Sequence, residues 1–414
     1  MEKKEEVSHN QQYDLVINGK SLAVSLVALR AARKGLRVIL YSGEPKRGDG
    51  EFDYTQLFPF RISNLWKSKQ EYRMIRYLQK MSPHLVIPQR HIAFYQKPPF
   101  PAFMLSGIDR IDGNSGENKS LLIRTAKSND LSAICCDNYP WALTMREYKV
   151  DTERLTIELL KRFRSLGGLI QSGSISNLRQ ATTGMTFCED RSGACLSTLA
   201  MIDIKKNADE SLKFELENLN IRFKNRILLR NEDVDLAIDL RDESPFLFAY
   251  RGTPENINSA VSGLFKKDVT LRKVKEGISR TERDTLNLSK QVLDFKETGL
   301  RDLSQKVESL SRFVRSVLEV NIQEENVEPL AGSDYPFQGD YRILEELCDE
   351  KFDIAKQTGI QFNAFKKLFY RYGTQIDQMT DRAYELLEKS RDANIIWAQA
   401  EMDFLEQEER EITK

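Results

Sequence analysis

At 414 residues the chain is long enough for two or three domains, each with a buried core of its own. Its 62 basic and 62 acidic residues cancel, so no net field draws it to nucleic acid, and 40% hydrophobic with 30% charged residues is a globular composition. Five cysteines (Cys135, Cys136, Cys188, Cys195, Cys348) include an adjacent pair but no C-x-x-C spacing, which reads as reduced thiols of a cytoplasmic protein.

Residues 1–12 are polar and read as a flexible N-terminus without an apolar leader. No apolar run reaches the length of a bilayer span, although a short amphipathic face leaves peripheral contact with the inner membrane open.

The first patterned stretch runs from Tyr13 to Pro45. "YDLVI" and "GLRVILY" read as buried parallel strands, and between them Leu22, Leu26 and Leu29 fall on one helical face that stops at Gly35. Strand, turn, helix, strand is the setting of the G-x-G-x-x-G dinucleotide fingerprint. Here the fingerprint positions are Gly19, Ser21 and Val24, so one glycine of three is present. The second glycine normally lets backbone approach a pyrophosphate and the third lets helix and strand pack closely. The acidic residue that would hold the ribose is replaced by Ser42, with Glu44 displaced by two. Three defects of roughly 1–2 kcal/mol each would weaken a nanomolar site to roughly micromolar or worse. Two readings follow: a structural βαβ unit, or a residual anion site at Gly19, Lys20 and Ser21, where the helix N-terminus still offers N–H groups.

Further along, "NLWKSKQEYRMIRYLQKM" has helical spacing and ends before Pro83, while "HIAFY" and "FPAFML" read as short strands. From Gly184 to Gly252 short apolar runs separated by turn residues predict an antiparallel sheet. Within it Arg222, Lys224, Arg226 and Arg230 alternate along "IRFKNRILLR", either as a solvated strand face or as ligands for a phosphate. Between residues 269 and 322, Leu286, Leu293, Leu300, Val307 and Val314 recur every seventh position, joined by Leu303, Leu310 and Val317. This predicts a long coiled-coil-like segment, with a helix-breaking position at Thr298-Gly299, whose seam docks on the chain itself, pairs in a homo-oligomer or receives a partner helix. Residues 341–414 read as helices with turns near Gly359 and Gly373, and with Trp397, Phe404 and Leu405 in a small bundle core. His9, His84 and His91 are too scattered for a metal site, His84 reads as a capping or packing residue, and no residue stands out as catalytic.

Three segments, with the βαβ unit, resemble the FAD-dependent glycerol-3-phosphate dehydrogenase family: "SPHLVIP", "VDTERL" and the late "EPLAGSDYPFQGDYRILEEL…FNAFKKLFYRYGTQIDQM". The resemblance implies an α/β fold of the glutathione-reductase type with an antiparallel β cap and a helical C-terminal domain. Domains are accordingly expected at 13–183 (Rossmann-like), 184–265 (cap), 266–325 (long helical segment) and 326–414 (helical). The family's "HGGLRYL", "ATG" and "GGK…TT…R" flavin motifs have no counterpart here. No cofactor is therefore expected, or FAD if the site is compensated elsewhere. The chain is read as a non-catalytic relative serving as an assembly or partner-binding scaffold, self-associating or capturing a protein through residues 269–322. The alternative is an active dehydrogenase that oxidises glycerol 3-phosphate to dihydroxyacetone phosphate and passes electrons to quinone.

Overall fold

The computed structural model describes residues 11–42, 53–55, 65–98, 105, 120–127, 134–180, 186–190, 195–206, 212–217, 226–230, 233–239, 245–266, 269–275, 287–288, 292–297, 300, 302–323, 327–335, 337 and 340–413. In chain order, β1 (Gln11–Asn18), α1 (Leu22–Arg33) and β2 (Val38–Tyr41) form the expected βαβ unit. They are followed by β3 (Asp53–Tyr54), α2 (Leu65–Met81), β4 (Val86–Tyr95), β5 (Leu121–Arg124), β6 (Trp141–Val150), α3 (Thr152–Ser165) and β7 (Leu169–Gln171). Seven further strands are β8 (Ile175–Gln180), β9 (Thr186–Asp190), β10 (Cys195–Lys206), β11 (Leu212–Glu217), β12 (Arg226–Arg230), β13 (Asp235–Asp239) and β14 (Phe246–Arg251). The rest comprises α4 (Pro254–Leu264), β15 (Thr270–Lys275), β16 (Asn287–Leu288), β17 (Val292–Glu297), α5 (Leu303–Leu318), α6 (Arg342–Ala355), α7 (Phe362–Tyr372), α8 (Ile376–Leu386) and α9 (Ala393–Thr413).

Two sheets organise these elements. The first runs β16-β17-β10-β1-β2-β7, with β17, β10, β1, β2 and β7 mutually parallel and the β8–β9 hairpin attached to β10. Its strands are apolar at successive positions because both faces are covered, as Leu15, Val16 and Ile17 show by their complete burial. The second runs β15-β11-β14-β13-β12-β4-β6-β3 and is antiparallel except for the β12–β4 pair. α4 closes one of its faces through Ile257, Val261 and Leu264. The 183/184 boundary does not follow these sheets: β9 and β10 belong to the first, whereas β3 to β6 lie in the second. Successive apolar residues Leu199 to Ile202 suit a doubly covered parallel strand rather than a cap strand.

Residues 269–322 depart most from expectation. β15 extends the second sheet, β17 lies parallel to β10 in the first, and among the described residues only Leu303–Leu318 of this segment is α-helical. The seam residues Leu303, Val307, Leu310 and Val314 are buried in the same core as α1, α2 and β10, so α5 docks in cis. Leu293 belongs to a strand, Leu300 precedes the helix, and Leu286 and Thr298-Gly299 lie outside the described residues. Most of "FPAFML" lies outside them as well.

The C-terminal helices build a separate core around Phe365, Phe369, Tyr372, Trp397 and Phe404. Gly373 has φ +58°, and a Cβ there would fall 1.9 Å from the carbonyl oxygen of Gly332, so the close crossing of these two loops requires glycine. His84, in the "PHLV" turn, packs into this junction: its Nδ1 lies 3.3 Å from both the Ser333 hydroxyl and the Tyr335 hydroxyl. Among the described residues no helix is long and apolar enough to cross a membrane.

Candidate functional site

In a parallel α/β sheet, ligands gather at the carboxyl edge of the strands, where helix N-termini present free N–H groups. Here β1 leads into α1, and β17 is followed by α5, so two helix N-termini open toward that edge.

At the first, Gly19 has φ +112°, and a Cβ on it would come within 2.8 Å of Ile204 Cβ on β10. The surviving glycine is thus required by strand packing, with or without a ligand. Its N–H donates to the Tyr41 carbonyl (2.8 Å), and the Ser42 N–H donates to the Gln171 carbonyl (3.0 Å). Asn18 donates its side-chain amide to Asp203 (2.8 Å) and accepts from the Ile175 N–H (3.1 Å). Ser21 is the N-cap of α1, its buried hydroxyl accepting from the Val24 N–H at 3.4 Å. Val24, at the third fingerprint position, is fully buried between helix and sheet. Lys20 is half-buried at the turn, and Glu44 lies outside the described residues.

At the second N-terminus a residue missed in the sequence closes the site. Glu71 reaches from α2 and accepts the Ser304 N–H with both carboxylate oxygens at 3.1 Å. It therefore occupies the anion position that the α5 N-terminus creates. Lys67, one turn earlier on α2, pairs with Asp302 at 2.6 Å. Burial pushes the Glu71 carboxyl up to about 7 and Asp302 adds to this, against the lowering effects of the Ser304 and Gln305 N–H groups and Lys67. A raised carboxyl binds its proton more tightly in the folded state, so its stabilisation is complete below pH 4.5 and lost as pH rises through about 7. Glu71→Gln should therefore become more stable relative to the wild type by about 3 kcal/mol between pH 4.5 and 8. Urea denaturation across that range reads it directly, and parallel stability curves would rule it out.

A second polar cluster lies on the face of the second sheet opposite α4. His91 on β4 stands in register with Met145 of β6 and Arg226 of β12. His91 is fully buried, and among the described residues neither ring nitrogen has a hydrogen-bond partner. Its ring centroid is 5.7 Å from that of Tyr54, while the Arg226 guanidinium carbon lies 3.8 Å above the same tyrosine ring. Beside them Thr55 donates to the buried Glu147 carboxylate at 2.6 Å. Burial, reinforced by the Arg226 charge, holds the His91 pKa well below the ordinary imidazole range. Burial likewise lowers His84 to about 3, with Arg154 contributing. The sign is that of buried neutral bases: the unfolded chain takes up these protons below about pH 6.5 and the folded chain does not. Stability should fall by up to about 1.4 kcal/mol per pH unit for each histidine as pH drops below 6.5. His91→Phe should remove one of these contributions in thermal unfolding, and an unchanged slope would contradict the buried neutral assignment.

Of the basic residues expected along the phosphate strand, Arg226 is buried inside the molecule rather than on a solvated face. Arg230 ends β12 opposite Asp235, and Arg222 and Lys224 lie outside the described residues. Among the described residues no cluster of histidine, cysteine and acidic side chains suits a metal ion.

No family model matches the sequence, and no curated protein matches it. Solved structures do share the fold. The glycerol-3-phosphate dehydrogenase of Bacillus halodurans, complexed with FAD, aligns over 95% of this chain and 82% of its own at 14% identity, with a TM-score of 0.61. The FAD-bound L-α-glycerophosphate oxidase of Mycoplasma pneumoniae aligns over 77% of this chain and 97% of its own at 9% identity, TM-score 0.51. An L-amino acid deaminase of Proteus vulgaris, lacking its specific insertion, covers 77% of this chain and 93% of its own at 13% identity, again with a TM-score of 0.51. The chain thus shares the α/β fold of these solved structures, and the 95% coverage of the first alignment reaches into the helical C-terminal region.

Proposed function

We propose that this chain is a non-catalytic relative of the FAD-dependent glycerol-3-phosphate dehydrogenases that does not hold flavin, and that its fold serves in the cytoplasm as an assembly or partner-binding platform. The observation that supports this reading is that each helix N-terminus at the carboxyl edge of the parallel sheet already carries an acceptor from within the chain, Ser21 on the Val24 N–H of α1 and Glu71 on the Ser304 N–H of α5. A dinucleotide pyrophosphate would have to displace the Ser21 cap, and a second anionic or polar group would have to displace a carboxylate. No acidic side chain stands at Ser42 to receive a ribose. The described residues at this edge do not fit the cofactor. With the α5 seam buried in cis, a partner would engage a surface other than that seam.

A second reading, an active glycerol 3-phosphate dehydrogenase, draws support from the His91 cluster, since a buried imidazole with two unsatisfied nitrogens beside a guanidinium is poised for an anionic substrate. The visible spectrum of the protein purified from its host separates the two. The proposal expects no flavin bands and no dye reduction with glycerol 3-phosphate after added FAD; stoichiometric flavin with turnover would establish the second reading.

A further inference from the structure

We propose that Cys135 and Cys136 form a redox site, a dithiol that a low-molecular-weight disulfide oxidises to a vicinal disulfide and that thiols reopen. Both thiols are half-buried and outside any disulfide, whereas Cys188 and Cys348 are fully buried. The pair therefore combines two reachable thiols with a resolving partner that is always one residue away.

The surrounding segment fixes the ends of the turn that carries them. Ile134 bridges to Phe265, the Cys135 N–H donates to the Leu264 carbonyl (2.8 Å), and the Asn138 amide donates to the Gly263 carbonyl (2.8 Å). Tyr139 donates its N–H back to the Cys135 carbonyl at 3.0 Å, and its own carbonyl accepts from the Thr125 hydroxyl at 2.6 Å. The turn thus straps the C-terminal end of α4, and it lies outside both polar clusters described above.

The chemistry balances without a bound cofactor. One cysteine thiolate attacks a sulfur of the small disulfide, forming a mixed disulfide and releasing one small thiolate. The neighbouring thiolate then attacks the protein sulfur of that mixed disulfide, forming the Sγ–Sγ bond and releasing the second small thiolate. The protein loses two electrons and two protons, and the small disulfide gains them as two thiols. Neighbouring Cα atoms are about 3.8 Å apart, closer than the roughly 4.4–6.8 Å of ordinary disulfides, so the closed ring is strained and readily reduced. Such a bond is a labile switch rather than a staple. Closure twists the Cys135–Cys136 peptide, whose carbonyl holds the Tyr139 N–H, so the oxidised form should lose that turn bond.

The test treats the full chain with oxidised glutathione and maps the tryptic peptide Ser128–Arg146, which contains both residues and no other cysteine. The expected result is a peptide lacking two hydrogens, carrying no glutathione and restored by dithiothreitol, with faster amide exchange at Tyr139. Cys136→Ser should instead stop at a stable glutathione adduct on Cys135. A wild-type peptide that retains glutathione, or stays unmodified, overturns the proposal.

Discussion

Replacing Arg154 by alanine is expected to destabilise the protein by about 3–5 kcal/mol, because it leaves two buried carboxylates, Glu158 and Glu408, with Lys161 as their one cation among the described residues. The Arg154 side chain is 1% exposed and donates to Glu158 on its own helix and to Glu408 on α9. It also donates to the Gln375 side-chain oxygen (2.9 Å), and its guanidinium carbon lies 4.7 Å from the Tyr372 ring centroid. Lys161 adds a second cation, 2.7 Å from Glu408. Two acids and two bases thus balance where α3 meets the C-terminal helices. Burial alone would raise the Glu408 carboxyl, but Arg154 and Lys161 together hold it below the ordinary value. Its contribution is therefore complete above pH 4.5 and lost as pH falls through the depressed value. The destabilisation should appear in urea unfolding and as faster amide exchange in α9 than in α1. A loss under about 1 kcal/mol, as for a surface pair, would mean that the cluster does not tether the two regions.

Leu310→Glu should cost more than about 5 kcal/mol, enough to unfold a typical domain, because it removes buried apolar contacts and puts an unpaired carboxylate in their place. Leu310 is fully buried among α1, α2 and the first sheet. Leu310→Ala, with a cost of about 2–5 kcal/mol, provides a milder version that stays measurable by denaturant titration. Had the seam been an exposed coiled coil, the charged variant would lower the molecular mass in light scattering and leave circular dichroism intact. A folded protein of reduced mass would therefore contradict the cis packing of α5.

The sequence made the βαβ unit legible because each local signal agrees: an apolar run for β1, Ser21 before the helix and Gly35 after it. α2 was equally plain from its helical spacing, whereas α3 was marked only by the family-like "VDTERL", in which Asp151 proves to accept the Arg154 N–H at 2.9 Å. The heptad was misleading since its period joined unrelated elements: Leu293 in a strand, Leu300 in a turn and the later residues on one helix face. Seven residues return a helix to the same face, but the recurrence of leucine alone does not establish that the intervening chain is helical. Alternating basic residues showed that β12 was a strand, yet did not reveal which face was solvated, and Arg226 proved to be inside. Glu71 left no sequence signal at all. Its partner Ser304 is 233 positions away, and only the packing of α2 against α5 brings them together.

Titrating the purified full chain with FAD and following flavin fluorescence reads whether Ser21 and Glu71 fill the positions a dinucleotide would need. No saturable binding is expected, or binding weaker than roughly micromolar. Tight, stoichiometric uptake of FAD would contradict it.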